Sequence, residues 1–284
     1  MDASADYLLL DCGDGRRLEA VGPWLFDRQA AQAFWPRRLP DSEWQRASCV
    51  HVRSDKGGGH WDFHGQEPSE LIGRHAGLAF RLRPTPFGHL GIFPEHADTW
   101  ARLNAFIAAR SARGLETEVL NLFAYTGGGT LSAANAGAKV CHVDASKGAV
   151  AWARSNAELN GLNDKPIRWI EDDCGAFLAR EARRGRHYDA VMLDPPTYGR
   201  GPKGEVFTLE TQAMELLAAV RALLAPGASV FFSCHTPGFT PLVLEQLAHA
   251  AFGSDCKATG RELFTECRSG GVLPSGVCVE ALLP

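Results

Sequence analysis

The chain has 284 residues, of which 45% are hydrophobic and 22% charged, a composition that is ordinary for a globular enzyme. No apolar run approaches the roughly 18 residues of a membrane span, so we expect a soluble protein with no membrane partner. The formal net charge of −4 excludes a strongly basic protein, although a nucleic-acid-binding surface needs to be basic only locally.

The N-terminal segment MDASADYLLLDCGDG lacks the positive charge and the long apolar stretch of a signal peptide, which predicts a cytoplasmic protein. The eight cysteines form no CxxC pair that could hold zinc together with a histidine pair. We therefore expect free thiols, as in a reducing compartment, and no metal centre.

Strand and turn patterns dominate the first part of the chain, and we interpret residues 1–88 as a β-rich N-terminal domain that recognises the substrate. The first pattern is a hairpin around Gly13-Asp14-Gly15. Further strand patterns are CVHVRS, HWDFH and LAFRLRP. These residues could also pair with a second copy of the chain to form a homodimer.

Strand and helix patterns alternate through the second predicted domain, residues 89–284, after a first predicted helix over 98–113. The strand patterns are EVLNLFAY, AKVCHVD, PIRWIED, YDAVMLD and ASVFFSC, with two late ones near 259–264 and 277–282. This alternation predicts an α/β fold with a Rossmann-like, doubly wound sheet of seven strands.

The end of the first of these strands indicates a cofactor site. Asn121 to Thr126 are followed by Gly127-Gly128-Gly129 at the start of a helix. Glycines there let the backbone approach a ligand closely, and free helix N–H groups favour a carboxylate or another anion. A tight turn between strand and helix could need the same glycines without any ligand.

Acidic residues end the next two strands. Asp144 can accept hydrogen bonds from both hydroxyls of a ribose, which fits NAD as well as other nucleoside cofactors. Asp172 and Asp173 end the third strand and can accept a bond from an adenine amino group, or can simply face solvent. The GxGxxG motif of dinucleotide-binding proteins is absent because Ser132 replaces its last glycine, and no phosphate loop is present.

The fourth strand ends in the most informative stretch, Asp194-Pro195-Pro196. Two prolines fix the backbone and remove N–H donors, so rigid carbonyls lie beside a carboxylate and can accept bonds from an amino group of a flat base. Tyr198 offers a stacking face, and Arg200 and Lys203 could form a basic patch or a solvated loop. The sequence therefore predicts a substrate-binding loop.

The fifth strand ends in Ser233-Cys234-His235, beside the fourth in a doubly wound sheet. A Cys234 thiolate could add to C6 of a pyrimidine and so activate C5, and a neighbouring positive charge such as His235 would lower its pKa. Cysteine is also a common inert core residue, and adjacent strand residues point to opposite faces. Both interpretations of Cys234 stay open at this point.

In combination, four stretches resemble the bacterial family of large-subunit ribosomal RNA (cytosine-C5) methyltransferases, especially its short members. They are LNLFAYTGGGTLSAANAGA, HVDASKGAVAWARSN, EDDCGAFL and LDPPTYGRGPKGE, within residues 88–240. The resemblance implies a class I methyltransferase sheet, S-adenosylmethionine as cofactor and RNA as partner. Motifs and resemblance together predict a cofactor site made of Phe93, Glu95, Asn121, Phe123, Tyr125, Thr126, Gly127, Asp144, Ala145, Ser146, Asp172, Asp173 and Asp194.

Three features depart from the family pattern. Residues 1–88 show no recognisable PUA domain, His96 stands where the family usually has glutamine, and Ser233-Cys234-His235 replaces Ser-Cys-Ser. Our working hypothesis is methylation of an RNA base, cytosine C5 in ribosomal RNA, with Cys234 as nucleophile and Asp194, Pro195 and Pro196 holding the base. The alternatives are methylation of an exocyclic base amine, an NAD-dependent oxidoreductase, and a binding module that has lost its activity.

Overall fold

The computed structural model describes residues 4–54, 58–200 and 206–284. The chain forms two compact units, the first made of Met1–Glu95 and Phe264–Ser275 and the second of His96–Leu263 and Gly276–Pro284. The boundary between the two units lies after Glu95, whereas the sequence pattern predicted it after residue 88. Phe264–Ser275 lies in the first unit because its backbone pairs there, with Arg268 N–H donating to Leu9 C=O at 2.9 Å.

The first unit is built on a seven-stranded sheet of order β5-β4-β3-β2-β1-β6-β7. Its predicted β-rich character is confirmed, and the hairpin at Gly13-Asp14-Gly15 joins β1 and β2, with Gly13 opposite Arg16. Asp14 and Gly15 both have positive φ, 51° and 73°, as a tight hairpin turn requires. The elements are β1 Ser4–Gly13, β2 Arg16–Val21, β3 Trp24–Gln29, α1 Asp41–Trp44, β4 Cys49–Arg53, β5 Gly59–Phe63, β6 Ile72–His75 and β7 Leu78–Arg81.

A buried ion pair crosses β2 and β3 in this unit. Glu19 is fully buried, and Arg28 contacts both of its oxygens, with Nη2 2.7 Å from Oε1. The Tyr7 hydroxyl donates to the same Oε1 at 2.5 Å. Burial alone would raise the pKa of Glu19, but Arg28, Arg17 and Tyr7 lower it to about 2. The carboxylate therefore remains charged inside the protein because its partners are buried with it.

The second unit contains the predicted seven-stranded sheet, of order β10-β9-β8-β11-β14-β16-β15. Strands β10, β9, β8, β11 and β14 run parallel to one another, and β16 is antiparallel to β14. The elements are α2 Ala97–Ser111, β8 Glu118–Leu122, α3 Gly128–Asn135, β9 Lys139–Asp144, α4 Lys147–Leu159, β10 Ile167–Glu171, α5 Cys174–Arg183, β11 Tyr188–Leu193, β12 Tyr198–Arg200, β13 Val206–Thr208, α6 Leu209–Arg221, β14 Leu224–Cys234, α7 Pro241–Phe252, β15 Lys257–Glu266 and β16 Val272–Leu282.

Central strand β11 shows why the sheet forms. Its segment YDAVML has four consecutive buried residues at its end, which is typical of a parallel strand covered on both faces by helices. The core around it includes Leu120 and Leu193 of the strands and Phe177 and Leu217 of the helices. Because the five parallel strands run in the same direction, their carboxyl ends all lie at one edge of the sheet, where ligands bind in such sheets.

The segment after β11 differs from the loop that the sequence predicted. Tyr198–Arg200 and Val206–Thr208 pair as short antiparallel strands, with Tyr198 opposite Thr208.

All eight cysteines are free and buried. Among the described residues, no helix is both long enough and apolar enough to cross a membrane.

Candidate functional site

The carboxyl ends of four neighbouring strands bring the predicted motifs together. Leu122 of β8 pairs with Val143 of β9 and with Leu193 of β11, and Leu193 pairs with Phe232 of β14. The loops that follow these residues therefore start side by side. They carry the glycine turn, Asp144, Asp194 and Cys234, although these lie far apart in the sequence.

The Asp144 carboxylate at the end of β9 is held by two backbone donors. Tyr125 N–H donates to Oδ2 and Ser146 N–H to Oδ1, each at 2.8 Å. Burial raises the pKa of Asp144, while these two bonds lower it in part. Each oxygen keeps a lone pair for a ligand, so the carboxylate is oriented to accept two further hydrogen bonds.

The turn from β8 into α3 has an unusual backbone. Phe123 and Tyr125 adopt positive φ, 54° and 47°, which is rare for bulky residues, and Gly127 follows at 90°. α3 begins at Gly128 without a side-chain cap, so N–H groups of its first turn can bind a carboxylate. A Cβ at Gly129 would lie 2.3 Å from Met192 Sδ, so only glycine fits there without displacement.

Several other predicted cofactor residues have structural partners. The Asn121 amide donates to Thr130 Oγ1 at 2.9 Å, and the Thr126 carbonyl accepts from Asn156 at 3.0 Å. Ser146 caps α4 and Asp173 caps α5, where its carboxylate accepts from Ala176 N–H at 2.8 Å.

The remaining predicted cofactor residues differ in exposure. Asp172 forms an ion pair with Arg180, and Ala145 is exposed. Phe93 and Glu95 belong to the first unit, where the Phe93 ring lies 5.3 Å from that of His89. Among the described residues, the buried Glu95 Oε2 has no hydrogen-bond partner.

Asp194 is the centre of a cluster that the sequence did not predict. His96 Nε2 lies 3.3 Å from Asp194 Oδ2, and His235 Nε2 lies 3.3 Å from Oδ1. Burial alone would raise the pKa of Asp194, but the two histidines hold it well below its usual range. The carboxylate is therefore ionised throughout the physiological pH range, beside buried Pro195 and exposed Pro196.

The two histidines are the positions at which this chain departs from the family pattern. The sequence suggested that His235 lowers the pKa of Cys234. In the structure, His235 Nε2 lies 3.3 Å from Asp194 Oδ1. The sequence did contain a signal for this contact. Asp194 and His235 follow β11 and β14, which are neighbouring parallel strands, so their carboxyl ends must lie at the same edge of the sheet. His96 had no such signal, because it precedes the sheet on the short 3₁₀ turn Pro94–His96.

Cys234 lies at the end of β14 and is buried. Burial raises the pKa of its thiol, and the charge of Asp194 raises it further, although Thr236 N–H donates to its sulfur at 3.3 Å. The surroundings therefore favour a neutral thiol over the thiolate that nucleophilic attack requires.

The predicted substrate-binding residues occupy the pair of short strands after β11. Tyr198, the predicted stacking residue, is 51% exposed. Thr236 Oγ1 donates to Thr197 Oγ1 at 2.9 Å and joins this loop to the end of β14. Lys203 lies outside the described residues, as does the side chain of Arg200.

Residues 69–255 match a family model described as S-adenosylmethionine-dependent methyltransferase. The chain is similar to the crystal structure of the SAM-dependent methyltransferase from Agrobacterium tumefaciens, with a TM-score of 0.92 and 33% identity. The match covers 100% of this chain and 92% of that one. A putative methyltransferase complexed with SAH, SMU.776, has the same fold, with a TM-score of 0.74, 18% identity, and coverage of 96% of this chain and 76% of the other.

Relatives named ribosomal RNA large subunit methyltransferase K/L match part of the chain. The protein of this name from Shewanella loihica is 35% identical over 166 residues, which are 58% of this chain and 22% of the relative. That from Shewanella amazonensis is 33% identical over 186 residues, 65% of this chain and 25% of the relative. The chain thus spans about a quarter or less of the length of these curated relatives.

Proposed function

The chain belongs to the family of S-adenosylmethionine-dependent methyltransferases, and we propose that it methylates a base in the RNA of the large ribosomal subunit. The relatives named for that RNA support the substrate class. The observation that carries the proposal is the ionised Asp194 at the start of Asp194-Pro195-Pro196, beside the loops that can hold the cofactor.

The residues present fit S-adenosylmethionine. Asp144 has both oxygens oriented by backbone N–H groups and can accept the two ribose hydroxyls. The uncapped first turn of α3 can bind the carboxylate of the cofactor. No phosphate-binding loop accompanies them, in agreement with a cofactor that has no phosphate.

The bound cofactor supplies an electrophilic methyl group on a positively charged sulfur. We propose that Asp194 accepts a hydrogen bond from an exocyclic amino group of the base and directs the nitrogen lone pair towards that methyl. S-adenosylmethionine bound there would supply its methyl group to this nitrogen and keep the electrons of the broken C–S bond on sulfur, and the proton lost by the nitrogen would pass to water. His96 and His235 hold Asp194 in its ionised form, the form that accepts such a bond.

Methylation of cytosine C5 is the second candidate, and it requires Cys234 as a thiolate that adds to C6. The buried sulfur, its raised pKa and the adjacent negative charge of Asp194 favour the amine over C5. In the amine mechanism Cys234 packs in the core and takes no part in the chemistry.

Methyl transfer with isotope-labelled S-adenosylmethionine tests both parts of the proposal. Purified protein is incubated with protein-free large-subunit ribosomal RNA or with transfer RNA, and nucleosides are identified by mass spectrometry. We expect label in a base-methylated nucleoside of the ribosomal RNA, full activity of Cys234→Ala and loss of activity in Asp194→Ala. Label in 5-methylcytidine that disappears in Cys234→Ala would establish the C5 mechanism instead, and absence of label in the ribosomal RNA would reject the substrate.

A further inference from the structure

Three residues from separate parts of the second unit bring ligand atoms together. His96 ends the 3₁₀ turn Pro94–His96, Asp194 follows β11, and His235 follows β14. One ligand atom from each residue lies within 4.8 Å of the other two. The two imidazole rings are 5.7 Å apart and inclined at 76°. Among the residues that the structure describes, this is the group of three or more histidine, cysteine or acidic side chains whose ligand atoms lie close enough together to share a metal ion.

The distances suit a transition-metal ion. In a tetrahedral zinc site with bonds of about 2.0–2.2 Å, neighbouring ligand atoms lie about 3.3–3.6 Å apart. His96 Nε2 lies 3.3 Å from Asp194 Oδ2 and His235 Nε2 lies 3.3 Å from Oδ1, so each histidine has one carboxylate oxygen within that range, and one ligand atom from each of the three residues lies within 4.8 Å of the other two. Two imidazoles and one carboxylate are ligands that zinc and similar divalent ions prefer, whereas magnesium and calcium prefer oxygen alone.

Access and space also agree with an ion site. The side chain of His96 is 10% exposed, while those of Asp194 and His235 are 28% and 32% exposed. The His96 ring is therefore anchored in the interior, while the side chains of Asp194 and His235 are partly exposed, with Asp194 Oδ1 itself buried. Gly276 faces the other side of the His235 ring, and a Cβ there would lie 2.8 Å from Nδ1. Glycine at this position leaves the room that the ring needs.

We propose that His96, Asp194 and His235 bind one divalent transition-metal ion of the Zn²⁺ class. Three protein ligands leave a coordination position open, as in catalytic rather than structural zinc sites. The sequence predicted no metal centre because spacing rules detect ligands that are close along the chain. Here the order of the strands brings them together. The proposal does not depend on RNA as the substrate, since it concerns only these three side chains.

Titration of the full chain with ZnCl₂ tests the proposal after metal is removed with a chelator. Isothermal calorimetry without cofactor or RNA should show one ion per chain with a Kd of roughly 10 μM or tighter. His96→Ala and His235→Ala should each weaken binding by at least about tenfold. His187→Ala removes an exposed histidine of the same unit and should bind as the wild type does. Thermal melting confirms that each variant is folded.

A cobalt titration provides the spectroscopic readout. Co²⁺ in a site with few ligands absorbs visible light strongly, and we expect this absorption in the wild type and in His187→Ala but not in His235→Ala. A second pair, Cys256 Sγ and His249 Nδ1 at 3.5 Å, is the competing explanation for any bound ion. No binding by the wild type, or binding unchanged in both His96→Ala and His235→Ala, would overturn the proposal. Neither result affects the methyltransferase assay described above.

Discussion

Replacement of Asp144 by alanine should weaken cofactor binding strongly. In the structure its two oxygens are oriented by Tyr125 N–H and Ser146 N–H, and each keeps a lone pair for one ribose hydroxyl. A hydrogen bond to a charged group contributes about 1.5–3 kcal/mol. Loss of two such bonds costs at least about 3 kcal/mol, which corresponds to a roughly 100-fold higher Kd.

Calorimetric titration with S-adenosylhomocysteine measures this effect without any RNA. Asp144→Asn keeps one acceptor oxygen and should lie between the wild type and Asp144→Ala. Asp164→Ala removes an exposed carboxylate of the same unit and should leave the Kd unchanged. Because the alanine variant also leaves two N–H groups without their acceptor, its melting temperature is measured in parallel.

A folded Asp144→Ala protein whose Kd stays within about threefold of the wild-type value would refute direct contact between Asp144 and the ribose. That result would mean that the ribose lies elsewhere and that Asp144 only holds the turn after β8 in place. A Kd that rises equally in Asp164→Ala would indicate a long-range effect of charge rather than direct contact.

Two further predictions concern packing and buried charge. Gly129→Ala should destabilise the fold by about 1–3 kcal/mol, because its Cβ would overlap Met192. Gly148→Ala serves as the matched control in thermal melts, because a Cβ there would lie 3.8 Å from Ser146 Oγ, an ordinary van der Waals contact. Glu19, with a pKa of about 2 in the folded chain and 4.5 as its ordinary value, stabilises the fold above about pH 4.5. This contribution, roughly 3 kcal/mol, is lost as the pH falls towards 2. Glu19→Gln, which leaves Arg28 buried without its charge partner, should therefore be much less stable than the wild type at pH 7 but little less stable near pH 2 in urea unfolding. A difference that does not change with pH would contradict this.

Much of the second unit follows from local patterns. Alternating strand and helix segments predict the parallel sheet, and continuous apolar runs such as YDAVML identify its central strand. The positions of Asp144 and Asp194 at strand ends could be read in the same way, since a strand that is buried on both faces must end where polar residues begin. These features depend on neighbours in the chain, so the sequence alone contains them.

The tertiary structure decided what these local patterns leave open. Phe264–Ser275 pairs with the first unit through backbone hydrogen bonds that no side-chain pattern specifies. The contact of His235 with Asp194, and the burial that raises the pKa of Cys234, depend on which strands become neighbours.

His96 shows the limit most clearly, because it lies far from Asp194 in the chain and no sequence pattern connects the two residues. Sequence determined that a carboxylate would stand at the end of β11. Only the strand order and the turn before α2 determined that two imidazoles would surround it, because convergence of distant side chains is a property of the packed sheet.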